Sequence, residues 1–142
     1  MKMRKTMLKI YSDGGSRGNP GPAASAFVVF ENGKMLHKDA KFIGEKTNNY
    51  AEYFAVLMAL GWLVKKFNQK NVTVAYYLDS ELVVNQLKGN YKVRSKNLAP
   101  LVSEAFKMMK SFSGRLEYFA VRREKNTISD KLVNESLDEN LQ

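Results

Sequence analysis

The periodicity of hydrophobic and polar positions changes along the chain, and each change predicts the boundary of a helix or strand. Three β-rich segments come first, and segments with helical periodicity then alternate with β-branched and aromatic runs. Asn32-Gly33, between the second and third segments, is typical of a hairpin turn. The predicted strands are 8–12, 26–30, 34–42, 72–78 and 115–121, and the predicted helices are 49–67, 80–87, 98–112 and 127–137. This order predicts an α/β fold in which a mixed sheet carries helices on its faces.

The composition favours one domain and excludes several kinds of site. The chain has 142 residues, 44% of them hydrophobic, so it can bury a core of its own. It has no cysteine for a disulfide or thiolate site, and its one histidine, His37, excludes a histidine-rich metal site. No apolar run approaches the roughly 20 residues of a membrane helix. No signal-type stretch follows the basic start, so we expect a cytoplasmic protein without membrane contact.

The charge favours a polyanionic partner. The formal net charge is +9 and the isoelectric point is about 9.7. A basic surface attracts nucleic acid, because each phosphate contact releases counterions. An excess of lysine also keeps a small protein in solution, and the charge alone leaves this alternative open. We expect a single domain, 1–142, whose residues 1–7 form a basic N-terminal extension.

Four acidic residues fall where carboxylates can meet. Asp13 and Asp79 follow the first and fourth predicted strands, and they would share one sheet edge if these strands are parallel neighbours. Glu52 and Asp130 are each expected in a first helical turn, on a stripe that continues with small or apolar residues. Inward-facing carboxylates are costly unless they are paired or bind a cation, and oxygen ligands suit hard ions such as magnesium or manganese.

Three of these acids also fit a helix-capping role. Glu52 follows Asn49 by three residues, and Thr127 to Asp130 matches a capping box. Asp79 stands directly before the helix 80–87 and could cap it. The pattern of all four residues together favours the metal site.

Longer motifs surround these acids in a fixed order. They are SDGGSRGNPGP at 12–22, TNNYAEY at 47–53 and LDSELVVNQLKG at 78–89, with a weaker fourth formed by VRREKN at 121–126 and SDKLVN at 129–134. On these motifs the chain resembles type 1 ribonuclease H over about residues 8–138. The resemblance implies a ribonuclease H-like fold, a five-stranded mixed sheet with its first three strands antiparallel and helices on both faces. It also implies an endonuclease that cuts the RNA strand of RNA–DNA hybrids and leaves 5′-phosphate and 3′-hydroxyl ends.

The resemblance also assigns roles to individual residues. Asp13, Glu52, Asp79 and Asp130 are the implied catalytic residues and the implied ligands of two divalent ions, Mg²⁺ or Mn²⁺. The implied substrate contacts are Gly14, Asn19, Asn48, Asn49, Glu81, Arg122 and Arg123. A side-chain amide both donates and accepts, as a ribose 2′-hydroxyl does, so the asparagines suit the RNA strand. Turn formation at Asn19 and helix capping at Asn48 or Asn49 are the alternatives.

The sequence departs from the family pattern at several positions. Many members carry a histidine in the loop before the last aspartate, and 121–129 has none. Arg122 or Arg123 would have to replace it, although an arginine stays charged and shuttles no proton. Glu81 and Ser129 stand where some members have glutamine and alanine.

Because of these departures, two other functions remain as alternatives. One is a broader nuclease that also cuts RNA–RNA duplexes or RNA–DNA junctions, and the other is a hybrid-binding module without catalysis. The predicted partner is an RNA–DNA hybrid, with double-stranded RNA as the alternative, and the expected form is a monomer.

Overall fold

The computed structural model describes residues 5–141, which form five strands, four α-helices and one 3₁₀ turn. In chain order these are β1 Thr6–Ser16, β2 Gly21–Glu31, β3 Lys34–Lys46, α1 Asn48–Lys66, β4 Val72–Leu78, α2 Glu81–Leu87, α3 Ala99–Ser111, β5 Arg115–Ala120, the 3₁₀ turn Arg123–Lys125 and α4 Thr127–Asn140. The strands make one sheet in the order β3-β2-β1-β4-β5. The predicted elements are therefore all present, and the predicted fold is confirmed.

Strand direction divides the sheet into two halves. β1, β2 and β3 pair antiparallel, whereas β4 runs parallel to β1 and β5 parallel to β4. The predicted hairpin turn is confirmed, because Asn32 and Gly33 both have positive φ, at 51° and 78°. β1 lies at the centre, so residues at its carboxyl end have neighbours from both halves.

Helices cover both faces of this sheet, but unequally. α1 packs on one face through a fully buried stripe that includes Ala55, Val56, Ala59 and Leu63, together with residues of α3. α4 packs on the other face through Val133 and Leu137, against small residues of β2. It lies over β2, β1 and β3, and much of the face over β4, β5 and the start of β1 carries exposed or half-buried side chains.

The largest departure from the predicted boundaries concerns the glycine-rich stretch. The first strand was predicted to end at residue 12, but β1 continues into this stretch and pairs Asp13–Ser16 with Ala23–Ala26 of β2. Gly14 permits this, because a Cβ there would lie 2.2 Å from the Ala51 carbonyl carbon of α1. β1 also begins at Thr6, inside the predicted extension 1–7, whose residues 1–4 lie outside the described part of the chain.

The predicted end of α2 at Leu87 and the predicted start of α4 at Thr127 are confirmed, and the other helix ends differ from the predicted ones by one to three residues. No helix within residues 5–141 is both long enough and apolar enough to cross a membrane.

Candidate active site

β1 and β4 bring Asp13 and Asp79 to the same edge of the sheet. The two strands are parallel and pair Tyr11 with Tyr77, and each aspartate lies two residues further along its chain. Asp13 was expected at a strand end, and this is wrong, because β1 continues to Ser16 along β2. Asp13 lies instead just beyond the last pair between β1 and β4, where the sheet opens beside Asp79.

Glu52 reaches this edge from α1. The N-cap is Thr47, whose hydroxyl accepts from the Tyr50 amide at 3.1 Å, so Glu52 lies in the second turn. The predicted first-turn position and the Asn49 capping arrangement are therefore wrong. The buried Ser25 hydroxyl donates to the Ala51 carbonyl at 2.6 Å, and Gly14 leaves no side chain in between. This close approach sets the backbone of Glu52 directly against β1.

Asp130 lies in the first turn of α4, as predicted. The proposed capping box is wrong, because the helix begins at Thr127 and its N-cap is Asn126. Asp79 is not a cap either, since the Ser80 hydroxyl accepts from the Val83 amide at 3.2 Å. Capping thus explains none of the acids for which it was an alternative.

Asn126 connects the segments that carry three of the carboxylates. It is buried, and its Nδ2 donates to the Ser12 carbonyl at 2.8 Å, one residue before the β1 carboxylate. Its side chain also hydrogen-bonds Asp79 and accepts from the Ser129 hydroxyl, and its carbonyl accepts from the Asp130 amide at 3.2 Å. The sequence interpretation gave this residue no role, although asparagine before a helix is a preferred N-cap and could have drawn attention to it.

The four carboxylates surround one open cavity of about 760 Å³. Its lining contains these predicted site residues: Asp13, Gly14, Asn19, Asn48, Asn49, Glu52, Asp79, Arg123 and Asp130. Glu81 and Arg122 do not line it; Arg122 faces Glu124 at 3.9 Å instead, and the predicted substrate contacts of Glu81 and Arg122 stay predictions. The cavity is also lined by residues that were not predicted: Arg17, Ser95, Asn97 and Asn134.

Two asparagines on the rim are held by the β1–β2 turn. Asn48 Oδ1 accepts from the Ser16 amide at 2.8 Å, and Asn19 Oδ1 accepts from the Asn48 amide at 3.1 Å. Helix capping by Asn48 or Asn49 is wrong, because Thr47 is the cap. The side-chain nitrogens of Asn19 and Asn48 make no hydrogen bond within residues 5–141, so both are available as donors in the cavity.

Arg17 fixes the opposite rim. Its Nη2 lies 2.7 Å from Asp138 Oδ1 and 3.4 Å from Asn134 Oδ1, so it ties the β1–β2 turn to α4. Asn134 in turn donates to the Asp130 carbonyl at 3.0 Å. The sequence signal for this contact was the arginine itself, because a glycine-rich turn does not need a long charged side chain.

Burial and mutual repulsion perturb the carboxyl groups. Burial first, and then the charges of Asp79 and Asp130, raise the pKa of Asp13 to about 8, against the opposing hydrogen bond from the Gly14 amide. Burial and Asp79 raise the pKa of Glu52 to about 7, and burial also raises the pKa of Asp79. Such crowding is favourable only when protons or cations neutralise the charges.

Arg123 moderates this repulsion from the solvent side. Its Nε lies 4.0 Å from Asp79 Oδ2, and its charge lowers the pKa values of Asp79 and Glu52. Its side chain is 85% exposed, so solvent weakens this effect.

The donor set fits hard divalent cations. Every carboxylate oxygen is a suitable ligand, and Glu52 Oε2 is buried without a hydrogen-bond partner among the described residues. No three acidic or histidine side chains within residues 5–141 form a ready-made cage for an ion. Magnesium at phosphate sites takes one or two carboxylates and completes its shell with water and substrate phosphate, so an open arrangement suits it.

The chain is similar to proteins that carry a reverse transcriptase-like or ribonuclease H name. A family model described as reverse transcriptase-like matches residues 11–136. A bifunctional protein of Mycobacterium tuberculosis is 38% identical over 131 residues, which are 91% of this chain and 35% of that protein. The chain therefore spans about a third of the length of this relative. The ribonuclease HI of Halobacterium salinarum is 35% identical over 130 residues, covering 91% of this chain and 63% of that enzyme.

A solved structure is also similar over nearly the whole chain. LC11-RNase H1, crystallised in complex with an RNA/DNA hybrid, superposes with a TM-score of 0.90 at 38% identity. The match covers 95% of this chain and 99% of that one. Both the sheet order and the helix positions are thus shared with a hybrid-bound protein.

Proposed function

This chain belongs to the type 1 ribonuclease H family, and from that premise we propose that it is an endonuclease that hydrolyses the RNA strand of RNA–DNA hybrids. The observation that carries the proposal is the convergence of Asp13, Glu52, Asp79 and Asp130 on one open cavity in a chain of net charge +9. A carboxylate cluster beside a polyanion is unfavourable unless cations bridge the two. All four groups come from one chain, which supports activity as a monomer.

The proposed cofactors are two divalent ions, Mg²⁺ or Mn²⁺, held by these four carboxylates. When bound, such ions would activate an attacking water and stabilise the leaving oxygen of the phosphodiester, giving 5′-phosphate and 3′-hydroxyl ends. The unpartnered Oε2 of Glu52 and the oxygen-only donor set support this assignment. The pKa of Asp13 is raised to about 8, so a cation bound by this carboxylate would displace a proton near neutral pH.

The remaining residues of the cavity bind and orient the substrate. The amide nitrogens of Asn19 and Asn48 point to strand selection, because they can donate to a 2′-hydroxyl that DNA lacks. Asn49 is exposed on the same rim and adds a further amide. Arg123 lies next to Asp79, and its exposed guanidinium group can contact a phosphate of the substrate or product there.

The test is cleavage of matched duplexes of one sequence by the purified chain in Mg²⁺. We expect cuts in the RNA strand of the RNA–DNA duplex and none in the DNA–DNA duplex, with end analysis giving 5′-phosphates. Equal cutting of an RNA–RNA duplex would replace the proposal by the broader nuclease. Tight hybrid binding without cleavage in either Mg²⁺ or Mn²⁺ would replace it by a binding module.

A further inference from the structure

A row of aromatic rings crosses the part of the sheet that α4 leaves open. Tyr11 on β1 stacks on Tyr77 on β4 with ring centroids 4.9 Å apart, and Tyr77 stacks on Phe119 on β5 at 5.5 Å. Phe30 on β2 meets Tyr11 edge to face at 6.0 Å. The row therefore spans four strands without interruption, although no described helix buries it.

A trough borders this row toward the amino ends of β1 and β4, and Tyr11, Phe30 and Phe119 line it. Its floor includes Ala75, which lies between Lys9 and Glu117 in the strand register. The cavity has a volume of about 680 Å³, and exposed Met7 and Ile128 stand at its margins. Exposed apolar surface rimmed by polar residues is typical of a binding surface.

The charges around the trough favour an anionic occupant. Lys9 and Lys125 line it, Arg115 extends the same face of β5, and Lys88 Nζ lies 6.0 Å from the centre of the Phe119 ring. Glu117 is the acidic side chain that faces these cations across the floor. A neutral apolar peptide would leave this excess of positive charge unmatched, whereas phosphates would neutralise it.

We propose that this trough binds single-stranded nucleic acid, with bases against the aromatic row and phosphates near the lysines. Aromatic rings on an open sheet, bordered by cations, are how many single-strand-binding domains hold flexible strands without reading their sequence. Asn126 lines the trough and also hydrogen-bonds Asp79, so the two cavities adjoin. An unpaired end flanking a hybrid is therefore the single strand expected there. The surface goes beyond the proposed hydrolysis and is tested separately from it.

The main test compares two double variants with equal changes in charge and ring number. Lys9→Glu with Phe119→Ala removes one cation and one ring from the trough. Lys110→Glu with Phe106→Ala makes the same change on α3, where Phe106 is 39% exposed against 38% for Phe119. Anisotropy of a labelled oligothymidylate is measured in EDTA, where no cation assists binding at the carboxylates. We expect binding about tenfold weaker in the trough variant and unchanged in the α3 variant.

Three further measurements make the outcome decisive. An oligonucleotide carrying 5-iododeoxyuridine should crosslink to Tyr11, Phe30 or Phe119, as located by mass spectrometry. Cleavage of a blunt hybrid should be the same in both double variants, which separates a failure of the trough from a failure of the proposed nuclease. Lys9→Glu alone, at an exposed position, replaces the double variant if that variant does not fold.

Equal oligonucleotide affinity in the two double variants would overturn the proposal, as would crosslinks confined to the carboxylate cavity. Binding of a hydrophobic dye to the trough without any binding of the oligonucleotide would also overturn it, in favour of an apolar protein segment as the occupant.

Discussion

Two cavities of similar size lie on one sheet, at about 760 and 680 Å³, and their linings have opposite chemistry. The first is polar and gathers four carboxylates at the sheet edge where β4 ends and β1 continues along β2 alone. The second is apolar and follows a row of aromatic rings on the open face. Cleavage of a phosphodiester requires charged groups that are held in place and partly shielded from water. Of these two cavities, only the carboxylate cavity has such groups. Cavity size alone therefore does not identify the catalytic site.

The largest expected effect comes from removing one acid from each cavity. Asp13→Asn should lower single-turnover cleavage by roughly three orders of magnitude or more, because it removes a central cation ligand. Glu117→Gln in the aromatic trough is the matched control and should cleave normally. Hybrid binding, measured by gel shift, should persist in both variants. A turnover near normal in Asp13→Asn would remove the basis for a carboxylate-centred reaction.

Asn126 joins the two regions, and its removal should slow cleavage through its contacts on the carboxylate side. Asn126→Ala frees the ends of β1 and α4, so we expect kcat to fall by roughly 10–100-fold with little change in KM. Higher Mg²⁺ should restore part of the loss, which a purely structural defect would not show.

Asn140→Ala, which removes a hydrogen bond of 2.7 Å to the Ser136 carbonyl at the other end of α4, is the control for Asn126→Ala. If both variants lose the same activity, or if Asn126→Ala loses none, the positioning role is wrong.

Stability against pH should distinguish the carboxylate cavity from the rest of the fold. The raised pKa values of Asp13, about 8, and Glu52, about 7, mean that the folded chain disfavours their charged forms. Their contribution to stability is therefore greatest below pH 4 and is lost as the pH rises to about 8. In EDTA the melting temperature should fall by several degrees across this window, and Asp13→Asn should flatten the decline. A melting temperature that rises equally in both proteins would contradict the assignment.

The smallest expected effect concerns Arg123. Its charge lowers the pKa values of Asp79 and Glu52, so Arg123→Ala should move the acidic limb of the pH–rate profile upward by less than one pH unit. Arg123→Lys should keep most of the original profile. Arg122→Ala, which changes a similarly exposed arginine outside the cavity, should leave it unchanged. A downward shift in Arg123→Ala would reverse the inferred sign.

The sequence was sufficient for what depends on local periodicity. The helical periodicity of α1 and the β-branched and aromatic run of β4 each predicted an element, and both elements are present. The four acids could be predicted as a group because strand ends and helix stripes restrict where they lie.

Other features depend on contacts between distant segments. β1 passes so close to α1 that only glycine fits at position 14, and the local sequence does not predict this contact. The burial of Asn126 requires β1, β4 and α4 at once. Tyr11, Tyr77 and Phe119 lie in three separate strands, so their stacking needed the strand register.

The most direct test of the central claim is cleavage of one RNA–DNA hybrid labelled on both strands. The purified chain is first held in EDTA and then given excess Mg²⁺, and both labels are followed in the same reaction. The account predicts an intact duplex in EDTA, followed by fragments of the RNA strand alone with 5′-phosphate ends. Cleavage of the DNA strand, or RNA cleavage that proceeds equally in EDTA, would contradict it.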